Sequence, residues 1–384
     1  MNHHATHRDA AVMAEQYDVT GSAAPSARIS AGRRAGWGAL QCALRLAGVV
    51  MLGGLAAAAH AETTLYVGMN GGTLQKNYES YVFPAFEKAN NVKVAVVPGT
   101  SADIVAKMQA QKAHPTMHVA FLDDGVMVRA VGLGLCAPVA DKQVTADLIP
   151  AARFPNDAAV AVQFGVVGLG YNKKLFDANH WAAPDSWAAF ADPKYKGKVI
   201  FPSISSSTYG LYGFLMYNRM LGGNDADVTR VFAKWSTTIG PNVLEYISNS
   251  AQISEMAQNG EAALFPMTAT QIRSFKDQGI PVEYATPKEG AVKLMYSACM
   301  LANNDQSALA QKLIAYLISP PAQEAIMAHV KSLPVNRTVK VSADLEQQLG
   351  KVDDLERNLQ SVDWATINAH RAEWNARWNQ QIER

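Results

Sequence analysis

Four consecutive hydroxyl side chains, Ser205, Ser206, Ser207 and Thr208, followed by Tyr209 and Gly210, are the densest group in this chain able to do chemistry. They follow a short apolar run, Lys198-Val-Ile-Phe, that breaks at Pro202, and they lead into a helix-like stretch. A strand that ends in such a loop and feeds a helix presents N–H groups with no partner inside the helix, and the helix dipole adds partial positive charge there. One hydroxyl suffices for an N-cap. The remaining three are available to hold an anion, although Ser clusters also mark plain solvated loops.

Other strand-like runs end in similar polar turns. These are Gly71-Gly72-Thr73, Gly99-Thr100-Ser101, Asp123-Asp124-Gly125, Ser248-Asn249-Ser250 and Thr268-Ala269-Thr270. Each alone reads as an N-cap or turn. In open α/β sheets, however, ligands sit outside the carboxyl ends of the strands, so turns of this kind converge on one site. The candidate ligand-binding set is therefore Gly72, Thr73, Thr100, Ser101, Asp123, Asp124, Ser205, Ser206, Ser207, Thr208, Tyr209, Ser248, Asn249, Thr268 and Tyr296. The two tyrosines are placed to stack on a ligand or hydrogen-bond to it.

Signatures of catalysis are missing. The chain has no G-x-S-x-G, H-E-x-x-H, C-x-x-C or G-x-x-x-x-G-K-[ST] motif. His114 and His118 have helical spacing but are separated by Pro115, and Gly165 to Gly170 lies inside an apolar run without a phosphate loop. Asp123-Asp124-Gly125 lacks the further carboxylates of a calcium loop. No metal and no cofactor are expected, and the chain does not read as an enzyme. The alternative of another class, a secreted serine hydrolase, would need a base near a serine such as Ser206, and His180 is the histidine closest in sequence.

The first 61 residues read as an export signal: Arg28, Arg33, Arg34 and Arg45, then the uncharged stretch Leu46 to Ala59, then Ala59-His60-Ala61 before Glu62. The apolar stretch is shorter than the roughly 18–20 residues that span a membrane. Cleavage after Ala61 would release the chain into the periplasm with no direct membrane insertion. The full chain carries 34 Lys and Arg against 33 Asp and Glu. That balance offers no support for binding nucleic acid. Of the three cysteines, Cys136 and Cys299 fall after the signal, both in apolar runs; their settings favour two separate buried thiols, with a single bridge as the alternative.

Strand-like runs at Leu65–Val67, Val92–Val97, His118–Leu122, Ala159–Tyr171, Val199–Phe201, Val243–Ile247, Ala262–Phe265, Val282–Tyr284 and Leu294–Leu301 alternate with amphipathic stretches. The alternation predicts an α/β fold with largely parallel sheets. The length after the signal exceeds what one core serves, so two lobes are expected. No Pro/Gly/Ser-rich linker divides them, which fits discontinuous lobes: 62–165 plus 266–342 for the first and 166–265 for the second. Residues 343–384, with Trp364, Trp374 and Trp378, are expected as helices packing on a lobe.

Several blocks carry a resemblance over essentially all of the chain after the signal. They are Gly168-Leu-Gly-Tyr-Asn-Lys-Lys-Leu-Phe176, Pro184-Asp-Ser-Trp187, Asp192-Pro-Lys-Tyr-Lys-Gly-Lys-Val199, Pro287-Lys-Glu-Gly290, Ala322-Gln-Glu-Ala325 and Leu333-Pro-Val-Asn336. In order and spacing they resemble the solute-binding proteins of ABC importers, in the group that contains spermidine/putrescine, ferric-iron, thiamine and aminoalkylphosphonate binders. The resemblance implies a two-lobed type II periplasmic-binding-protein fold, a monomer that closes on a small-molecule ligand and hands it to an inner-membrane ABC permease. A sensor role in which the closed form meets a receptor kinase uses the same closure. Polyamine-binding relatives carry an acidic pair where this chain has Ser203 to Tyr209, and a further carboxylate near the position of Tyr296. Iron-binding relatives use adjacent tyrosines, which this chain lacks. The expected ligand is a small organic anion, a carboxylate or phosphonate, with any attached amine facing Asp123 or Asp124; a polyamine is the alternative.

Overall fold

The computed structural model describes residues 63–248, 252–349 and 359–383. The expected signal segment, with its cleavage site, lies outside the described residues. Ten strands, β1 (Thr63–Met69), β2 (Val92–Pro98), β3 (Val119–Asp123), β4 (Cys136–Ala137), β5 (Val160–Asn172), β6 (Val199–Pro202), β7 (Val243–Ile247), β8 (Leu264–Thr268), β9 (Val282–Ala285) and β10 (Val292–Leu301), are joined edge to edge. Their order is β2-β1-β3-β10-β5-β8-β6-β7, with β4 on β10 and β9 on β5. All nine runs read from sequence are strands; the two-residue β4 had no pattern to show.

The expectation of largely parallel pairing is corrected. β1 pairs in parallel with β2 and β3, and β6 with β7 and β8. The pairs β10–β3, β10–β4, β10–β5, β5–β8 and β5–β9 are antiparallel. The reason is the length of β5 and β10. Every residue of the 13-residue β5 is buried, so it runs as a continuous apolar strand through the middle of the sheet and pairs with strands on both sides. Hydrophobic periodicity reports burial and carries no record of strand direction.

The helices that follow these strands carry local signals. α1 (Thr73–Asn77) follows β1, and α2 (Phe83–Asn90) precedes β2. α3 (Ser101–Ala110) starts with a capping box in which Thr100 accepts from the Asp103 N–H and Asp103 accepts from the Thr100 N–H. α4 (Asp124–Gly132) follows β3 directly. α5 (Lys173–Ala178) starts at a cap in which Asn172 accepts from the Leu175 N–H. α6 (Thr208–Met220) follows β6 and the serine loop. α7 (Thr229–Trp235), α8 (Gln252–Gln258) and α9 (Ala269–Asp277) complete the middle of the chain, and Thr268 caps α9 by accepting from the Gln271 N–H. α10 (Ser307–Leu317), α11 (Pro320–Ala325), α12 (Ala343–Leu349) and α13 (Trp364–Gln381) follow β10.

Buried side chains fall into separate cores. One joins Leu65, Val67, Phe83 and Phe121 with Leu313 and Leu333, and a neighbouring cluster holds Ile104, Leu122 and Met127. Another joins Phe176, Trp187, Phe201 and Trp235. A fourth packs Ile200 and Ile247 with Phe265, Ile272, Phe275 and Ile280. Trp374 and Trp378 are core and Trp364 is partly buried against it: Trp378 is fully buried among Phe201, Phe214, Trp235 and Tyr246, with ring centroids 4.9–6.3 Å away. Four of the six sequence blocks that carried the resemblance form clasps. Glu289 accepts from the Ser186 hydroxyl at 2.6 Å and from the Trp187 N–H at 3.1 Å, and the Trp187 indole donates to the Gly290 carbonyl at 3.0 Å. Gln323 donates to the Val162 and Leu317 carbonyls and accepts from the Val335 N–H.

The expectation of two separate thiols is overturned. Cys136 on β4 and Cys299 on β10 form a buried disulfide, Cα to Cα 5.7 Å. The antiparallel pairing of β4 with β10, Leu301 opposite Cys136, brings the two together. Nothing in the separate apolar runs records that register. Oxidised cysteines suit an exported chain. Closing a long loop removes unfolded-state entropy, so Cys136→Ser/Cys299→Ser should lose about 2–5 kcal/mol. Urea unfolding checks this, and thiol labelling of the denatured protein should require a reductant.

Candidate functional site

The carboxyl ends of β1, β2, β3 and β6 open onto one cavity of about 500 Å³. Gly72 and Thr73 line it after β1, Thr100 and Ser101 after β2, Asp123 at the end of β3, Ser206, Ser207, Thr208 and Tyr209 after β6, and Ser248 after β7. An inner chamber of about 90 Å³ continues from it and shares Asn70, Thr73, Asp123 and Tyr209; Thr268 and Tyr296 line this second space. The strand-end rule thus assembles most of the expected set from segments far apart in sequence.

Three expected residues need separate report. Ser205 does not line the cavity. Its hydroxyl lies 2.7 Å from that of Ser203, and it faces a different depression beside Glu245 and Glu383. Ser205 sits in the turn between β6 and α6, where the Ser206 and Ser207 N–H groups fold back to the Ser203 carbonyl, and Ser206 lines both depressions. Asp124 also lies behind the wall; it is buried, with its carboxylate against the Tyr212 hydroxyl. As the first residue of α4 it points away from the direction taken by Asp123 at the strand end. Asn249 lies outside the described residues.

α6 is held unusually close to β6. A Cβ on Gly210 would overlap the Pro202 carbonyl oxygen, so glycine lets the first turn of α6 sit against the strand it follows. Asp123 then meets this turn: the Thr208 hydroxyl donates to Asp123 Oδ2 at 2.6 Å. Burial pushes the Asp123 carboxyl above the usual carboxylate range, and the Thr208 donor opposes that rise. Tyr209 is pushed up to about 12, chiefly by burial and then by the Asp123 charge. Tyr296 is raised further, again by burial first, and its hydroxyl accepts from the Asn70 N–H at 3.0 Å. Both phenols stay neutral.

Among the described residues, no Lys, Arg or His lines either chamber. The expectation of an electropositive gap therefore rests on backbone N–H groups at the starts of α3, α6 and α9 and on hydroxyls. Asp103 also reaches the cavity, but its carboxylate is engaged with Thr100, whose hydrogen bonds lower its titration. Asp123 is left as the carboxylate that faces both chambers.

Sequence reading missed Asn70, Gln271 and Gln278 in the wall, since single polar residues beside strands and on helices carry no local signal. It also missed Arg371. This α13 guanidinium donates to the Ile204 carbonyl, behind the serine loop, and burial first, then the Arg129 charge, lower it to about 10. His180 is exposed at the end of α5, and the Ser206 hydroxyl donates to the Ser248 carbonyl at 3.1 Å. No group of three or more His, Cys, Asp or Glu able to hold a metal occurs among the described residues.

A family model described as bacterial extracellular solute-binding protein matches residues 82–349. The chain belongs to this family. A periplasmic protein of Salmonella typhimurium, provisionally named for 2-aminoethylphosphonate binding, is 22% identical over 68% of this chain and 74% of its own length. The spermidine/putrescine-binding periplasmic protein of Escherichia coli is 26% identical over 44% of this chain and 47% of its own. An uncharacterized Haemophilus influenzae protein is 24% identical over 54% of this chain, which spans 59% of it. The periplasmic binding protein AfuA of Actinobacillus pleuropneumoniae, solved with fructose-6-phosphate, superposes with a TM-score of 0.71 at 19% identity, over 84% of this chain and 98% of that one. The solute-binding chain thus has the two-lobed, discontinuous type II periplasmic-binding-protein fold, with α13 added at its C-terminus. No helix among its described residues is long and apolar enough to cross a membrane.

Thr208→Val should remove the donor to Asp123 while keeping the side-chain shape. Losing a hydrogen bond to a buried carboxylate costs about 1–3 kcal/mol. Because this donor serves the ionised acid, the loss should be larger at pH 7 than at pH 4. Urea unfolding of the variant at the two pH values reads the difference.

Proposed function

We propose that this chain is the extracytoplasmic receptor of an ABC importer, closing two lobes on a small organic anion that also carries an amine. The observation that carries this reading is the cavity wall: three helix starts with hydroxyl side chains, and one carboxylate, Asp123, where the two chambers meet. N–H and hydroxyl donors suit a phosphonate or carboxylate group. Asp123 suits an ammonium, whose burial without a carboxylate would be costly. The Salmonella relative's name is in keeping with such a zwitterion.

The second reading is a polyamine, supported by Asp123 and by the Escherichia coli relative. A chain of several ammonium groups needs several carboxylates, and the engagement of Asp103 in its capping box favours the zwitterion. The chain acts by binding alone, without turnover. It is exported, cleaved after Ala61, works in the periplasm as a monomer, and delivers its ligand to an inner-membrane permease. For the lobes we assign 62–165 and 166–265 as expected, but return the chain to the first lobe near Ala291 rather than at Pro266. Ile272, Phe275, Ile280 and Val282 pack with Ile200 and Ile247, on the second side.

Thermal shift of the exported protein against 2-aminoethylphosphonate, methylphosphonate and putrescine tests the ligand class. Binding to the native state alone adds about 2.7 kcal/mol at a hundredfold excess over Kd. The zwitterion should give the largest shift; a shift with putrescine alone would overturn the choice in favour of the polyamine. Ser206→Ala/Ser207→Ala should weaken that binding roughly ten- to a hundredfold. Ser205→Ala, on the far side of the loop, should leave it within about twofold.

A further inference from the structure

Asp124 is a buried acid that the binding reading leaves without a task. Its carboxylate lies 3.0 and 3.1 Å from the Tyr212 hydroxyl, and that same hydroxyl lies 3.2 Å from the Lys293 carbonyl on β10. The Gly125 N–H donates to Asp124 Oδ1 at 2.9 Å and the Met295 N–H approaches Oδ2 at 3.4 Å. A phenol has one proton to give. With Asp124 ionised, three acceptor oxygens compete for it, and either the carboxylate or the carbonyl faces the phenol oxygen without a proton between them. With Asp124 neutral, one carboxyl oxygen donates to the phenol oxygen and the phenol donates to the Lys293 carbonyl, so neither of those two contacts lacks a proton.

We propose that Asp124 is a proton-dependent positioning residue for the cleft: the neutral acid donates to Tyr212, Tyr212 donates to the Lys293 carbonyl, and this relay fixes α6 so that Thr208, one turn earlier, stays on Asp123. The proton comes from solvent and returns to it; no bond between heavy atoms changes. The relay ties the start of α4 to α6 and β10. α13 covers it: the Trp364 ring lies so close over Gly125 that a Cβ there would enter the ring, and the Asn368 amide donates to the Gly125 carbonyl at 3.0 Å. This holds whatever ligand the cleft takes.

Electrostatics agree with the geometry. Burial first, and then the neighbouring Asp123 charge, raise the Asp124 carboxyl to about 7, against the lowering effects of Tyr212, the Met295 N–H and Trp364. The elements packed here also carry Arg129 on α4, Lys293 on β10 and Arg371 on α13, and Arg371 is turned to the Ile204 carbonyl. Two adjacent buried carboxylates do not ionise together without cost. A neutral Asp124 therefore leaves the charge to Asp123, the member of the pair that faces the cavity.

For an acid whose titration is raised in the closed form, the extra stability is complete below the ordinary carboxylate range and is lost as pH rises to the raised value. Hydrogen exchange of the Leu211, Tyr212 and Gly213 amides, corrected for intrinsic rates, reads this locally in the ligand-free exported chain. Protection should fall roughly tenfold for each pH unit from pH 5 to about 7 and then level off. Asp124→Asn, whose amide also donates, should keep the protection at pH 8 and lose the slope. Tyr212→Phe should lower protection at every pH. A wild-type slope retained in Asp124→Asn, or no slope in the wild type, would overturn the proposal. Should Asp124→Asn fail to fold, carboxyl-carbon NMR of the wild type decides: a midpoint above 6 supports the relay, and one below 5 ends it.

Discussion

The first turn of α6 is the constraint on which this molecule's site depends. It is pressed against the Pro202 carbonyl through Gly210, and it meets two adjacent carboxylates at the end of β3, Asp123 through Thr208 and Asp124 through Tyr212. A strand end and a helix start from different cores are thereby held in register by side-chain hydrogen bonds, the Tyr212 contact buried and the Thr208 contact at the cavity wall. In such surroundings a satisfied polar contact orders its partners and an unsatisfied one is costly. The cavity's shape follows from that contact.

On the proposed reading, the arrangement receives an anion without a cationic side chain in the wall. Helix starts bring N–H groups and partial positive charge to the cavity, and the side chains of Thr73 and Ser101 line it as well. Full charge sits one layer back, in Arg371, which grips the serine loop by the Ile204 carbonyl. A lysine or arginine in the wall would hold an anion strongly in an open cleft. Neutral donors from both sides gain most when the walls approach, which suits a receptor that must also release.

Much of the fold was legible because its causes are local. Buried strands write continuous apolar runs, and capping residues such as Thr100 and Thr268 mark helix starts within a few positions. The cavity was legible through one geometric rule, that strand ends in an α/β sheet converge, which found residues as distant as Thr73 and Thr208. Where the cause was pairing or direction, sequence was silent. The Cys136–Cys299 bridge depends on the register of a two-residue strand, and Ser205 differs from Ser206 only in which way a turn points it. Arg371 lies 167 residues from the carbonyl it holds.

Sequence by itself determined the strands, the serine loop and the family blocks, since each is written in side-chain type and spacing along a few residues. Tertiary structure alone decided the antiparallel pairing through β5 and β10, the disulfide, and which of two neighbouring aspartates faces the cavity. The physical reason is common to all three. Successive residues at a strand end point to opposite sides, and strand direction, register and which side is cleft exist only after distant segments have packed.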